Sequence, residues 1–278
     1  MSCYYPDALF VDVDIFVVEP ASTPSRPKKD VVNSSQKKTR SVVKTNEDVK
    51  HVKPTPHVKP TTGRSTNRGR PVTERKPEIK LHEEHLGVVP VYKSFAPLHN
   101  GAKFFIARGS VVKFEGDCVV NAANETCLGG GGLDGAITNA GGEKLRDARE
   151  SLAILPGGVR CPTGSSRMTV GGDLSARFVA HAVGPMYARM SEDEGDRLLA
   201  SAYESTLKLC DEYNIKTIAF PPLSGGIFRG RKSLEEVINI GLRTLYDKTP
   251  EGVEEVYLVG FDDEEVKKMI KVAKAFFY

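Results

Sequence analysis

Apolar residues fall into short runs from about residue 85 to the end of the chain. Runs of four to seven residues, rich in Val, Ile, Phe and Ala, predict β-strands. The run at 118–122 is apolar almost throughout, which is typical of a strand buried on both faces. These predicted strands cover residues 87–92, 103–107, 118–122, 177–183, 215–220 and 255–261.

Between these runs, apolar residues recur at the three- and four-residue spacing of amphipathic helices. Ser233 and Glu236 form a capping box at the start of one helix, and Asp262 is expected to cap the last one. The other predicted helices cover residues 134–139, 142–152 and 193–213. Strands alternating with helices predict one α/β domain with three layers, in which helices cover both faces of a largely parallel sheet.

The first 84 residues lack this pattern. Residues 21–80 hold sixteen Lys and Arg against five Asp and Glu, and contain no Phe, Tyr, Leu or Met. Such a segment buries too little apolar surface to offset the entropy of ordering, so we expect a disordered basic arm. It is expected to be either a solvated tether or an electrostatic contact for RNA, DNA or an acidic partner. We therefore expect three regions: residues 1–20, whose role stays open, the arm at 21–84, and the folded domain at 85–278.

Five scattered cysteines without a C-x-x-C motif argue against a disulfide scaffold and a zinc site. We expect a reducing compartment, the cytoplasm or the nucleus, no metal and no cofactor. Cys127 has no histidine base close to it in the sequence, which argues against a nucleophile. His181 lies in a strand pattern and is expected to be a core histidine. The apolar run at 8–18 is too short for a membrane span.

Two glycine-rich segments each follow a predicted strand. Val120–Asn124 leads into Gly129–Gly132 and a helix, and Ile218–Leu223 leads into Ser224-Gly225-Gly226. Glycines let backbone N–H groups approach an anion closely, and a helix N-terminus adds its positive dipole end. Neither segment has the spacing of a P-loop or a dinucleotide-binding fingerprint. The two loops are therefore predicted to bind one ligand, with a diphosphate as the natural guest, at the carboxyl edge of the sheet.

With these two segments in this order, residues 103–275 resemble a macrodomain of the MacroD type, an ADP-ribose-binding fold with a mixed, largely parallel sheet. The resemblance also rests on Val170-Gly171-Gly172 and on the stretch from His181 to Pro185. It implies that Asn124 holds the distal ribose and that backbone N–H groups after residue 223 bind the diphosphate. The ligand-binding residues so implied are Ser110, Val111, Asn121, Asn124, Gly131, Gly132, Leu133, Asp134, Ser224, Gly225, Gly226, Ile227, Phe228 and Phe261.

Asp134 is the residue on which the predicted activity depends. The resemblance implies that it activates a water beside the distal ribose, with Asn124 as its catalytic companion. An aspartate just before Gly135-Ala136-Ile137 could instead be only the N-cap of a helix. Asn124 has a similar alternative, since an asparagine at a strand end often ties down loop backbone.

The chain departs from the family pattern at two places. Ser110 stands where the family usually has an aspartate that accepts a hydrogen bond from adenine, so we expect a weaker contact there. Arg229 follows Phe228 where many hydrolases have glycine and tyrosine; it could clamp a phosphate or face water.

The leading hypothesis is therefore a hydrolase that removes ADP-ribose from acidic side chains or deacetylates O-acetyl-ADP-ribose. A non-catalytic reader of ADP-ribose or poly(ADP-ribose) is the main alternative, and an RNA-binding macrodomain using residues 21–80 is another. The expected partners are ADP-ribose or ADP-ribosylated proteins, with no membrane contact, and a monomer is the default.

Overall fold

The computed structural model describes residues 79–278, so the predicted region 1–20 and nearly all of the basic arm lie outside the described residues. The described part contains a seven-stranded sheet. Its strands are β1 (Val89–Lys93), β2 (Lys103–Arg108), β3 (Cys118–Ala122), β4 (Ser166–Val170), β5 (Phe178–Ala182), β6 (Thr217–Phe220) and β7 (Glu255–Gly260).

The strands lie in the order β1-β2-β7-β6-β3-β5-β4. The five central strands, from β2 to β5, run parallel, whereas β1 and β4 pair antiparallel at the two outer edges. The sheet is therefore mixed and largely parallel, as predicted. Because the central strands point the same way, the segments that follow all five leave the sheet at one edge.

Four α-helices pack on this sheet within residues 79–278: α1 (Gly132–Glu150), α2 (Glu192–Glu212), α3 (Leu234–Lys248) and α4 (Asp263–Phe277). The capping box of Ser233 and Glu236 is present at the start of α3, and the Asp262 side chain accepts the Glu265 N–H at the start of α4. Both predicted caps are thus confirmed. Each satisfies backbone donors that would otherwise lack a partner in the first turn.

The sheet carries a hydrophobic core on each face. On one face the core residues come from α2, α3 and α4, with α3 packed between the other two helices. On the other face Ile137 and Leu145 of α1 pack against Phe105, Val119 and neighbouring sheet residues. This arrangement confirms the three-layer α/β/α domain.

Two local features differ from the sequence prediction. Strand β4 was not predicted, because its five residues include Ser166, Arg167 and Thr169 and give no clear alternation. The two helices predicted at 134–139 and 142–152 form the single element α1, with a break at Gly142, whose φ is 67°. A residue with a Cβ would be strained at this left-handed φ, so the break favours glycine.

Candidate functional site

The strand order arranges the predicted ligand-binding segments along the carboxyl edge of the sheet. Ser110 follows β2 and Phe261 follows β7, while residues 221–230, here the β6 loop, follow β6. Residues 123–131, here the β3 loop, follow β3, which pairs directly with β6. The two glycine-rich loops therefore lie side by side, with the Ser110 and Phe261 segments beyond the β6 loop.

Asp134 is not the cap of helix α1. The N-cap is Gly131, and Asp134 is the third residue of the helix, after Gly132 and Leu133. Its side chain turns inward and is only 4% exposed. The alternative reading of this aspartate as a simple N-cap is therefore wrong.

The Asp134 carboxylate has one oxygen engaged and one without a partner. Oδ1 accepts a hydrogen bond of 2.7 Å from Arg149 Nη2 and one of 2.8 Å from Asn121 Nδ2. Oδ2 is buried and has no hydrogen-bond partner among the described residues. A buried carboxylate oxygen without a donor costs free energy, so this atom is one that a ligand or water would satisfy.

Arg149 was missed by the sequence analysis, although it is only 1% exposed. Besides its ion pair with Asp134, its guanidinium donates to the Cys127 carbonyl in the β3 loop and to Thr138 Oγ1. A signal existed in the sequence: Ile137, Gly141, Leu145 and Arg149 stand four residues apart and are all buried on one face of α1. An arginine that continues a buried helix stripe must meet a partner inside the protein.

Asn121 and His181 extend this network beneath the β3 loop. Asn121 Nδ2 lies 2.8 Å from Asp134 Oδ1 and 3.1 Å from His181 Nδ1, so both of its N–H groups have acceptors. His181 Nε2 in turn lies 2.9 Å from Thr169 Oγ1. Burial, reinforced by the Arg149 charge, lowers the pKa of His181 to about 3, which keeps the ring neutral. The prediction of a satisfied core histidine is confirmed. Asn121 Oδ1 is buried without a partner.

Asn124 ties down the β3 loop, as its structural alternative predicted. Its Nδ2 donates to the Gly129 carbonyl at 2.9 Å, and its Oδ1 accepts from the Thr126 N–H and hydroxyl. One N–H of the amide remains for a ligand. A Cβ on Gly130 would stand 3.2 Å from Asp134 Oδ2 and 3.3 Å from Asn124 Nδ2. Gly130 therefore lies between the two predicted catalytic side chains.

The β6 loop is held by backbone geometry rather than by a buried carboxylate. Ser224 has the left-handed φ of 53°, and its hydroxyl donates to the Pro185 carbonyl at 2.9 Å. Gly225 and Gly226 follow, and Ile227–Arg229 form a short 3₁₀ helix in which the Ile227 side chain is 93% exposed. Arg229 Nη1 donates to the Lys232 carbonyl, so part of this guanidinium serves the loop itself.

A cleft of about 640 Å³ lies at the end of the edge near β2 and β7, and Ser110 and Phe261 are among its lining residues. Phe261 is 78% exposed. The Ser110 hydroxyl accepts the Val112 N–H at 3.3 Å, which caps a short 3₁₀ helix, Val111–Lys113. The Val111 side chain is buried in the core, and Val111 is not among the residues that line this cleft.

The cysteines of the described region are all free and buried. Burial raises the pKa of the Cys118 thiol to about 12, which is typical of an inert core cysteine. A hydrogen bond with Cys161 and the charge of Arg149 lower the pKa of Cys127, against the effect of burial. Within residues 79–278, no histidine forms a hydrogen bond with Cys127.

Within residues 79–278, no group of three or more His, Cys, Asp or Glu side chains could hold a metal ion. None of the helices in that same range is long and apolar enough to cross a membrane.

Comparisons with known proteins agree with this architecture. The family model described as Macro domain matches residues 120–238. A macro domain-containing protein of Caldanaerobacter subterraneus is 43% identical over 164 residues, which cover 59% of this chain and 91% of that protein. An O-acetyl-ADP-ribose deacetylase of Escherichia fergusonii is 36% identical over 165 residues, 59% of this chain and 90% of that protein.

Among solved structures, the Oceanobacillus iheyensis macrodomain with ADP superposes with a TM-score of 0.60 at 28% identity, covering 66% of this chain and 95% of that one. Variants of that macrodomain carry replacements at an asparagine, at a glycine seven positions later and at an aspartate ten positions later. Asn124, Gly131 and Asp134 have the same residue types and the same spacing.

Proposed function

This chain belongs to the macro domain family, and on that premise we propose that it is a hydrolase of ADP-ribosyl esters. Its substrates would be proteins that carry ADP-ribose on an acidic side chain, or O-acetyl-ADP-ribose. Both substrates join a ribose hydroxyl to a carboxyl group, so one site can serve both. The relative from Escherichia fergusonii that is named an O-acetyl-ADP-ribose deacetylase supports this substrate class.

The observation that carries the proposal is the asymmetric Asp134 carboxylate. Arg149 and Asn121 donate hydrogen bonds to Oδ1. Oδ2 lies close to Gly130 and has no hydrogen-bond donor among the described residues. A carboxylate fixed through one oxygen and free at the other is suited to accept a proton from a water molecule. Because the Asp134 side chain is buried, its carboxylate stays in the same orientation while the water reacts.

The reaction needs few groups. A water oxygen attacks the carbonyl carbon of the ester while Asp134 Oδ2 takes one water proton. The bond between that carbon and the ribose oxygen then breaks, and Asp134 returns the proton to the ribose oxygen, which leaves a carboxylic acid and a free ribose hydroxyl. The remaining N–H of Asn124 donates to a distal ribose hydroxyl, which aligns the ester with the water. No step requires a metal or an organic cofactor.

The proposed ligand extends along the edge of the sheet. From β2 to β3 the sheet spans three strand spacings, about 14 Å. Adenine would lie against Phe261 and Ser110, the diphosphate at the backbone N–H groups of the β6 loop, and the distal ribose at Asn124. Structures of the Oceanobacillus macrodomain with ADP and with ADPR support a ligand of this kind.

The experiment that tests the proposal compares the wild type with Asp134→Ala and Asp134→Asn. Release of ADP-ribose from a glutamate-modified protein and deacetylation of O-acetyl-ADP-ribose are measured, with calorimetry of ADP-ribose binding. We expect turnover to fall by about 10²–10⁴-fold, the usual contribution of a general base. Asp134→Asn should retain binding best, because it keeps the shape of the side chain.

Other outcomes separate the alternatives. Tight ADP-ribose binding by the wild type without turnover would contradict the hydrolase and leave a reader of ADP-ribose. Absence of ADP-ribose binding would favour RNA as the ligand. In that case affinity should fall steeply with salt, and deletion of residues 21–80 should remove this dependence.

A further inference from the structure

A second cavity, of about 230 Å³, shares Asn124 with the proposed ribose site, and Asp134 is not among its lining residues. Asn124 and Phe228 line the cavity, and so do Met186, Arg189 and Met190 from the segment that follows β5. Because Asn124 and Phe228 are the residues proposed to contact the distal ribose, the cavity borders that site and is near enough to receive a group esterified to the ribose. None of the roles assigned so far uses it.

The Arg189 side of the cavity is a firmly held platform. Tyr187–Arg189 form a 3₁₀ helix whose Tyr187 is buried and donates to Asp196 Oδ1 at 2.8 Å. Lys232 forms an ion pair with the same carboxylate at 2.6 Å, and its Nζ lies 5.4 Å from the centre of the Tyr187 ring. This segment also packs against the 3₁₀ helix that carries Phe228. The backbone that carries Arg189 is therefore held in place on both sides.

The charge of Arg189 has no counter-ion in the described structure. Its side chain is exposed, and no carboxylate of residues 79–278 forms an ion pair with it. Glu125 is the single acidic residue among those lining the cavity. Its Oε1 already accepts the N–H and the hydroxyl of Thr163 at 3.1 and 2.8 Å. Arg189 thus enters the cavity lining without an ion-pair partner among the described residues, while Glu125 is held by Thr163.

We propose that this cavity is the subsite for the acyl group of the substrate, and that Arg189 binds the acyl oxygens as they become negatively charged during hydrolysis and in the carboxylate that results. This inference rests on the proposed function. Hydrolysis consumes one water, breaks one C–O bond and leaves the acyl group as a carboxylic acid that ionises to a carboxylate. Arg189 pairs with that anion, and its fork of N–H donors matches the two carboxylate oxygens.

The lining also matches the rest of the acyl group. Met186 and Met190 offer flexible apolar surfaces that suit the methyl group of an acetyl ester or the methylenes of a glutamyl side chain. A guanidinium-linked substrate would bring a second cation next to Arg189 and is disfavoured. The subsite therefore selects esters of carboxylic acids over ADP-ribosylated arginine.

The test compares Arg189→Met with Arg231→Met, a control that removes an exposed arginine outside the cavity lining. We expect Arg189→Met to lower kcat/KM for O-acetyl-ADP-ribose and for a glutamate-linked protein by about 10-fold, the loss of one charge-assisted contact. The ADP-ribose Kd should stay within about 2-fold of the wild type. Arg189→Lys, which keeps the charge without the fork, should recover part of the loss.

Sodium acetate provides a readout that does not need turnover. Titrated into the ADP-ribose complex and followed by NMR, acetate should bind the wild type and Arg231→Met and should bind Arg189→Met at least 10-fold more weakly. Equal acetate binding and equal kcat/KM in the two variants would overturn the subsite. A wild type that binds acetate through Arg189 but shows no turnover would retain the subsite and refute the hydrolase.

Discussion

The β3 loop and the β6 loop have the same appearance in the sequence, a buried strand followed by glycines, but they are supported differently. Beneath the β3 loop lie Asp134 and Arg149, a charged pair that is almost completely buried. The β6 loop is supported by the left-handed Ser224 and its hydrogen bond to the Pro185 carbonyl. The β3 loop thus lies over a buried charged pair of helix α1, whereas the β6 loop is proposed to hold the diphosphate through its backbone N–H groups.

This difference teaches that glycine loops alone predict where a ligand binds, but not where a reaction takes place. A backbone loop can bind an anion without any titratable side chain. Proton transfer needs a held carboxylate, and holding one in the interior requires a partner from elsewhere in the fold. The predictions below test whether the two loops really divide binding and chemistry in this way.

The largest effect is expected from Arg149→Met. The change leaves the Asp134 carboxylate buried without its counter-ion, which typically costs about 3–5 kcal/mol in the free energy of unfolding. Urea denaturation followed by circular dichroism measures it. Arg146→Met, in the same helix but exposed, should change the free energy by less than about 0.5 kcal/mol.

The double variant Arg149→Met/Asp134→Leu separates stability from activity. Replacing both members of a buried ion pair with apolar residues is often neutral, so most of the lost stability should return while turnover stays absent. If the single variant unfolds at the same urea concentration as the wild type, the charged pair does not support the β3 loop.

A smaller effect is expected from adding a methyl group to the β3 loop. In Gly130→Ala the new Cβ would stand between Asp134 Oδ2 and Asn124 Nδ2, so we expect kcat to fall by about 10-fold or more. In Gly131→Ala the Cβ meets nothing within 4 Å, so any effect should fall on the ADP-ribose Kd. Steady-state kinetics gives kcat and calorimetry gives the ADP-ribose Kd for both variants. Equal losses of kcat in the two variants would contradict a special role for the space beside Gly130.

The smallest effect is expected in the β6 loop. In Gly225→Ala the Cβ would stand 2.9 Å from the Pro222 carbonyl oxygen, which forces the backbone to shift. We expect the ADP-ribose Kd to rise by about 10-fold, equivalent to about 1.4 kcal/mol, with kcat at saturation nearly unchanged. Gly226→Ala, whose Cβ meets nothing within 4 Å, is the matched control. A selective loss of kcat in Gly225→Ala would show that the β6 loop also takes part in the reaction.

Most of the fold could be read from local patterns. Strand β3 and the caps of α3 and α4 follow from short-range spacing, and the predicted bounds of β2, β6 and β7 differ from the structure by at most two residues at either end. Strand β4 escaped prediction because it is stabilised by pairing with β5, a contact that no five-residue window contains. The break in α1 at Gly142 lies beside a long-range contact, since the Gly141 carbonyl accepts a backbone hydrogen bond from the Asp173 N–H, 32 residues later in the chain.

The sequence by itself determined the α/β class, the two glycine loops and the family resemblance. It also singled out Asp134 and Asn124 as the candidate catalytic side chains. These follow from hydrophobic periodicity and short motifs, which act over a few residues. Only the tertiary structure decided that Asp134 is ion-paired with Arg149 and that Asn121 is hydrogen-bonded to His181 beneath the β3 loop. It also decided that Arg189 lines a cavity together with Asn124 and Phe228. Those relations join residues 15 to 104 positions apart in the chain. Sheet order and helix packing bring them together, and local sequence does not encode such distances.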